Sequence, residues 1–217
     1  MTNFGNILIT GFGPFDCHKI NASWECVSLL PNEIGGYKII KKQIPVIYSY
    51  VEENVPKLWK EFNPKLVIHV GVSSYTNQIQ IETCAHRSGY QRNDVSSVCP
   101  KNCTAGCDDG KECIETGLCP KTISKRLASL LNIETTISNN AGRYLCEFIY
   151  YTSLSIDEKR TLFVHVPPLD KPFTKEELAM ALEIIVKCGI GLVNKNYENI
   201  DSSSQSIYRN GRVAAAF

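Results

Sequence analysis

Apolar positions along the chain change period repeatedly, and the changes mark out elements. Residues 6–10 (NILIT) form a short apolar run stopped by Gly11 and Gly13, which predicts a buried strand and a loop. Asn21 has the chemistry of a helix N-cap, and 22–30 repeats apolar residues three and four apart, as one helix face requires. Residues 37–46 alternate as a strand, and 47–62 return to the helical period. The run LVIHV at 66–70 is continuous and β-branched, as in a strand covered on both faces. Residues 79–83 alternate apolar and polar, which predicts a more exposed strand. The stretch 88–120 has no period and is rich in Gly, Asp, Asn and Cys. Beyond it the pattern predicts a helix at 121–131, a strand at 134–137, a helix from about 141 to 155 and a strand at 161–166. A last long helix is expected at 175–193, and the polar residues 194–217 are expected to lack structure.

Strands alternating with helices predict a three-layer α/β/α sandwich on a largely parallel twisted sheet, of the phosphorylase/hydrolase-like kind. The expected organisation is one α/β catalytic domain over 1–193, carrying a cysteine-rich insert at about 88–120. In such sheets, ligands bind beyond the carboxyl ends of the strands.

Composition narrows the function. Hydrophobic residues make up 43% of the 217-residue chain, enough for a substantial core. The formal net charge is +1, which gives no electrostatic reason to expect nucleic acid or an anionic membrane as partner. The N-terminal residues lack the pattern of a secretory signal, and no run reaches the ~18 apolar residues of a membrane span. A cytoplasmic location is therefore expected, with the ten cysteines reduced.

Two residues stand out against that background. In the predicted strand–helix–strand unit at 134–166, Cys146 falls near the start of the helix and His165 near the end of the returning strand. Both then face the ligand-binding edge. A helix N-terminus and a nearby imidazole each favour a thiolate, and such a pair, oriented by a third group, is the usual arrangement for acyl transfer by a thiol. A lone cysteine on a helix is more often plain packing. His69, in LVIHVG, ends another strand and competes for the role of base. Cys84 and His86 also lie close together, but on a strand they point the same way. Glu82 sits at a strand end, where its carboxylate could hold an imidazole tautomer; the bland alternative is an ordinary solvated glutamate. The loop TGFGPF at 10–15 fails as a phosphate loop: it lacks the third glycine, lacks the Lys-Ser/Thr pair, and Pro14 removes a backbone donor. Phe12 and Phe15 instead suit the walls of a pocket for a small flat ring.

The motifs ILITGFGPF, NASW, HVGVS, IQIE, SNNAGRYLC and FVHVPP occur in this order between Ile7 and about Leu182. Together they resemble the pyroglutamyl peptidase I family of cysteine peptidases, also called pyrrolidone-carboxylate peptidases, and most of all its animal-type branch. The resemblance implies an omega peptidase that releases N-terminal pyroglutamate from small peptides. It implies Cys146 as nucleophile, His165 rather than His69 as base, and Glu82 as orienting acid. It implies that Phe12 and Phe15 sandwich the lactam ring and that Asn21 makes a contact near the pocket. No metal, no cofactor, no nucleic acid and no membrane are implied, and a monomer is weakly favoured. The related readings are a thiol amidase for another blocked N-terminus and an inactive binding protein on the same fold.

Two positions depart from the family pattern. Arg87 stands where many members have asparagine, which would bear on rate or specificity, and Asn140 stands where aspartate is frequent. In the insert, Cys99, Cys103, Cys107, Cys113 and Cys119 include no C-x-x-C pair, so reduced thiols on a loop are expected rather than zinc. Its place just after Glu82 suggests a lid over the pocket.

Overall fold

The computed structural model describes residues 4–15, 20–107 and 109–210 of the chain, with side chains in the last helix described through residue 196. The elements in chain order are β1 (Asn6–Phe12), α1 (Ala22–Ser28), β2 (Glu33–Ile34), β3 (Tyr37–Ile44), α2 (Tyr48–Phe62), β4 (Leu66–Val72), β5 (Ile79–Glu82) and β6 (Cys84–His86). They continue with β7 (Cys113–Glu115), α3 (Pro120–Leu131), β8 (Thr135–Ser138), α4 (Leu145–Asp157), β9 (Thr161–Val166) and α5 (Lys175–Asn210).

Seven strands form one sheet in the order β2-β3-β1-β4-β9-β5-β8. The inner strands β3, β1, β4 and β9 are parallel. The period of two along each strand splits the apolar side chains between two cores. Ile7 and Ile9 of β1, Ile68 and Val70 of β4, and Leu162 and Val164 of β9 pack with α1, α3 and α5. Leu8, Val67 and Phe163 point the other way, toward Val51, Val55 and Trp59 of α2 and Leu145, Phe148 and Tyr151 of α4. The expected three-layer sandwich is therefore present, with a mostly parallel mixed sheet at its centre.

Several local expectations fail for identifiable reasons. β5 pairs antiparallel with β9 and parallel with β8, so β8 runs against β9. The segment 134–166 is not a parallel strand–helix–strand unit, and its first strand does not end at the edge where β9 ends. β5 is not exposed: Glu82 is fully buried, because α4 covers the polar positions of its alternation. α4 begins at Leu145, not near 141, since Gly142 and Arg143 take positive φ values of 99° and 48° and cannot extend a right-handed helix. α5 continues to Asn210 rather than ending at 193, and residues 211–217 lie outside the described residues.

The cysteine-rich insert is anchored, not loose. Its Tyr90 is fully buried edge-on to Phe148, with ring centroids 5.3 Å apart. Asp94 supplies the cap that α2 lacks locally, its Oδ2 accepting from Tyr48 N–H at 3.0 Å. β6 and β7 form a separate antiparallel ribbon against α4.

Candidate active site

The site forms where β1, β4 and β9 end, at their carboxyl ends, as expected of such a sheet. Strand pleat and register do most of the positioning. Glu82 lies opposite Phe163 across the β5–β9 pair, and His165 lies opposite Gln80. Glu82 and His165 are thus diagonal neighbours on the face that meets α4, within reach of long side chains. Glu82 Oε1 and His165 Nδ1 are 2.8 Å apart, and both residues are buried. The carboxylate accepts the ring N–H, which leaves Nε2 as the working nitrogen. Among the described residues Glu82 Oε2 has no hydrogen-bond partner, so this carboxylate's attention is fixed on the imidazole.

Cys146 enters from α4, in its first turn, and its thiol lies beside the His165 ring. Burial alone pushes the His165 pKa down, but the bonds and charges of Cys146 and Glu82 outweigh it and hold it up at about 9. An imidazole held beside a thiol in this way is the usual arrangement for nucleophilic catalysis by sulfur. The helix dipole adds to it, because Cys146 sits at the positive end of α4. The close approach depends on Gly71: a Cβ there would fall 2.7 Å from Cys146 Sγ and 3.3 Å from His165 Cδ2.

Above the trio opens a cleft of about 500 Å³, lined by residues that include Phe12, Phe15, Asn21, Cys146 and His165. Phe12, Phe15, Asn21, Cys146 and His165 therefore share one cleft, with Glu82 buried behind His165. Asn21 has mainly a structural part: its Oδ1 accepts from Ser23 N–H to cap α1, and its Nδ2 donates to Gly13 O at 2.9 Å, tying down the loop that carries both phenylalanines.

His69 is a satisfied core histidine. Its ring nitrogens bond to Thr10 Oγ1 and Ser153 Oγ, both at 2.7 Å, and burial lowers its pKa to about 3. Such a group is a poor base at neutral pH. Arg87 does not line the cleft; its guanidinium lies near the Cys107 carbonyl and Glu112, beneath the insert. None of the described residues of 99–119 lines the cleft either, although Arg92, just before them, does.

Some contributors escaped the sequence reading. Arg92 stacks over the Tyr144 ring at 4.2 Å, and both line the cleft. Glu147, fully buried one residue beyond the cysteine, accepts from Arg143 N–H at 2.6 Å, from the Arg143 guanidinium at 2.7 Å and from His86 N–H at 3.0 Å. It thereby fixes the bend at 142–143 that presents Cys146. The i,i+4 spacing of Arg143 and Glu147 was the available signal.

Comparison with known proteins identifies the family. The family model described as pyroglutamyl peptidase matches residues 5–193. The rat protein named pyroglutamyl-peptidase 1 is 39% identical over 204 residues, covering 92% of this chain and 96% of its own. The human protein of that name is also 39% identical, covering 90% of this chain and 94% of its own. The structure of pyrrolidone carboxyl peptidase from Thermococcus litoralis superposes with a TM-score of 0.81 over 89% of this chain and 96% of that one, at 23% identity, and speaks for the fold. The shared fold and the extent of these matches place the chain in the pyroglutamyl peptidase family.

Proposed function

We propose that the protein hydrolyses the amide bond following an N-terminal pyroglutamyl residue, with Cys146 as nucleophile, His165 as proton carrier and Glu82 as the group that orients it. The observation that carries this reading is the convergence of these three side chains beneath a cleft walled by Phe12 and Phe15. The Cys146 thiolate attacks the carbonyl carbon that joins pyroglutamate to the peptide. A C–S bond forms and an electron pair moves to the carbonyl oxygen. The N–H groups of Leu145 and Cys146 precede the first bond of the helix ladder, Phe148 N–H to Tyr144 O, and serve to hold that oxyanion. His165 gives its proton to the leaving amine as the C–N bond breaks. Water, deprotonated by His165, then hydrolyses the thioester and frees pyroglutamate and the thiol.

Selection of a blocked N-terminus follows from the cleft's charge. Among its described lining residues there is no acidic side chain, while Arg92 is cationic. Burying a protonated α-amine without a carboxylate beside it is costly, whereas a neutral lactam packs between aromatic rings. The same reading takes residues 1–193 as one catalytic domain that works as a monomer in the cytoplasm. Among the described residues no helix is long and apolar enough to cross a membrane.

The test is release of a fluorescent amine from a pyroglutamyl amide, with reductant present, by the wild-type protein and by Cys146→Ala. Turnover in the first and a loss of about 10⁴-fold or more in the second is expected. An active Cys146→Ala protein would overturn the assignment.

A further inference from the structure

Against α4, the β6–β7 ribbon gathers three metal-binding side chains, none of which lines the cleft. His86 lies opposite Cys113 in the antiparallel register, and Cys84 follows two residues along on the same face. The two sulfurs and an imidazole nitrogen lie within 4.8 Å of one another, and this is the one such group of three among the described residues. In a filled tetrahedral zinc site with metal–sulfur bonds of ~2.3 Å, the sulfurs stand roughly 3.8 Å apart. The three ligand atoms lie close to that spacing, and Cys113, the ligand on β7, is exposed and free of the packing that holds Cys84.

A second observation concerns His86. Its Nδ1 is engaged by the buried Glu147 carboxylate at 2.8 Å. That bond fixes the tautomer and leaves Nε2 with a lone pair, which is how carboxylates hold metal-binding imidazoles. The carboxylate is itself anchored by Arg143, so the imidazole is held before any ion arrives. Two thiolates would balance the charge of a divalent cation. Soft sulfur with nitrogen at tetrahedral spacing selects zinc over calcium or magnesium.

We propose that Cys84, His86 and Cys113 bind one zinc ion, with water in the fourth position, as a structural clip. The ion joins the two strands of the ribbon across the chain of residues 87–112 and stiffens the base of the insert. The sequence pattern hid this site, because only one of its ligands belongs to the cysteine-rich stretch.

The experiment uses full-length protein carrying Cys146→Ala, so that the catalytic thiol and imidazole do not hold metal, in a phosphine reductant. Cobalt(II) is the probe. The expected result is one equivalent bound, with a thiolate-to-cobalt charge-transfer band and the intense visible bands of a tetrahedral ion, bleached by zinc. Zinc should also raise the thermal midpoint. Adding Cys113→Ser should weaken zinc binding by more than about 100-fold, beyond the range seen for loss of an outer partner. It should also abolish the zinc-induced thermal shift, while leaving the metal-free midpoint unchanged because Cys113 is exposed. Cys107→Ser should change neither. Retention of the cobalt spectrum after Cys113→Ser, its loss after Cys107→Ser, or the absence of stoichiometric binding would each overturn the proposal.

Discussion

Gly71 offers the sharpest test of how closely the site is packed. Its φ is not positive, so alanine suits the backbone, and the effect of Gly71→Ala is purely one of space. The added methyl would lie 2.7 Å from Cys146 Sγ, 2.8 Å from Phe163 Cζ and 3.3 Å from His165 Cδ2. Ordinary contact needs roughly 3.5–4 Å, so the sulfur and the ring must each give way by about one ångström. Phe163 is fully buried, with its ring centroid 4.7 Å from that of His165, and it has nowhere to go without moving the imidazole. Cys146 has a single torsion to its sulfur, and turning it moves the sulfur from its place beside the His165 ring. A misplacement of this size at reacting groups costs about 10²-fold in rate, or roughly 2.7 kcal/mol in the barrier. The overpacked core adds a stability loss of about 1–3 kcal/mol. Steady-state kinetics on a fluorogenic pyroglutamyl amide should show kcat down by about two orders of magnitude, with KM changed little because the cleft walls are untouched. The rate of Cys146 alkylation by iodoacetamide should fall alongside. Gly13→Ala is the control: the nearest atom to its Cβ would be 3.7 Å away, on Gln43, and activity should stay within about 3-fold. If Gly71→Ala keeps more than half of wild-type kcat and alkylation rate, the close juxtaposition of Cys146 and His165 is wrong.

Four further outcomes follow from the site and the bend that supports it. Because Cys146 and Glu82 hold the His165 pKa up at about 9, kcat/KM should decline as pH rises through that value. Since this pKa lies above the ordinary 6.5, the pair's contribution to stability is complete below about 6.5 and lost as pH rises through about 9. Glu82→Gln should move the alkaline limb to lower pH and reduce kcat/KM by about 10²- to 10⁴-fold; an unmoved limb would show that Glu82 does not act on His165. Glu147→Gln should lower stability by about 2–4 kcal/mol in urea titrations, because its amide N–H group cannot accept from Arg143 and His86. A loss under 1 kcal/mol would mean that the bend at 142–143 is held by other contacts.

The layers and most of the helices were legible because the hydrophobic period is strong where an element is long and half-covered. Strand direction was not: nothing in TTIS at 135–138 says that β8 runs against β9, since that choice is made by pairing with β5. The three-residue strands β6 and β7 are too short to show a period. Gly142 is a usable signal for the late start of α4, since its φ of 99° cannot extend a right-handed helix. The catalytic candidates were legible by residue type and motif, but the reason they meet was misread. His165 does reach the expected edge at the end of β9, while Cys146 arrives there through the bend at 142–143 and not from the end of β8. Arg92 was illegible because a single arginine in an aperiodic stretch has no pattern to betray it.

The diagonal pairing of Glu82 with His165 has a consequence for how this architecture tolerates change. The two side chains meet because β5 and β9 are in register, not because the intervening chain has a given length. Residues 83–160, insert included, form an excursion whose span does not enter the geometry of the pair. Lengthening, shortening or replacing the exposed part of that excursion leaves the charge relationship intact as long as the ladder holds, whereas slipping β5 by one residue turns Glu82 to the opposite face and removes it at a stroke. The acid and the imidazole are thus inherited together as one alignment of two strands, and the exposed part of the excursion that precedes α4 and Cys146 is open territory in which accessory features can arise without touching the chemistry.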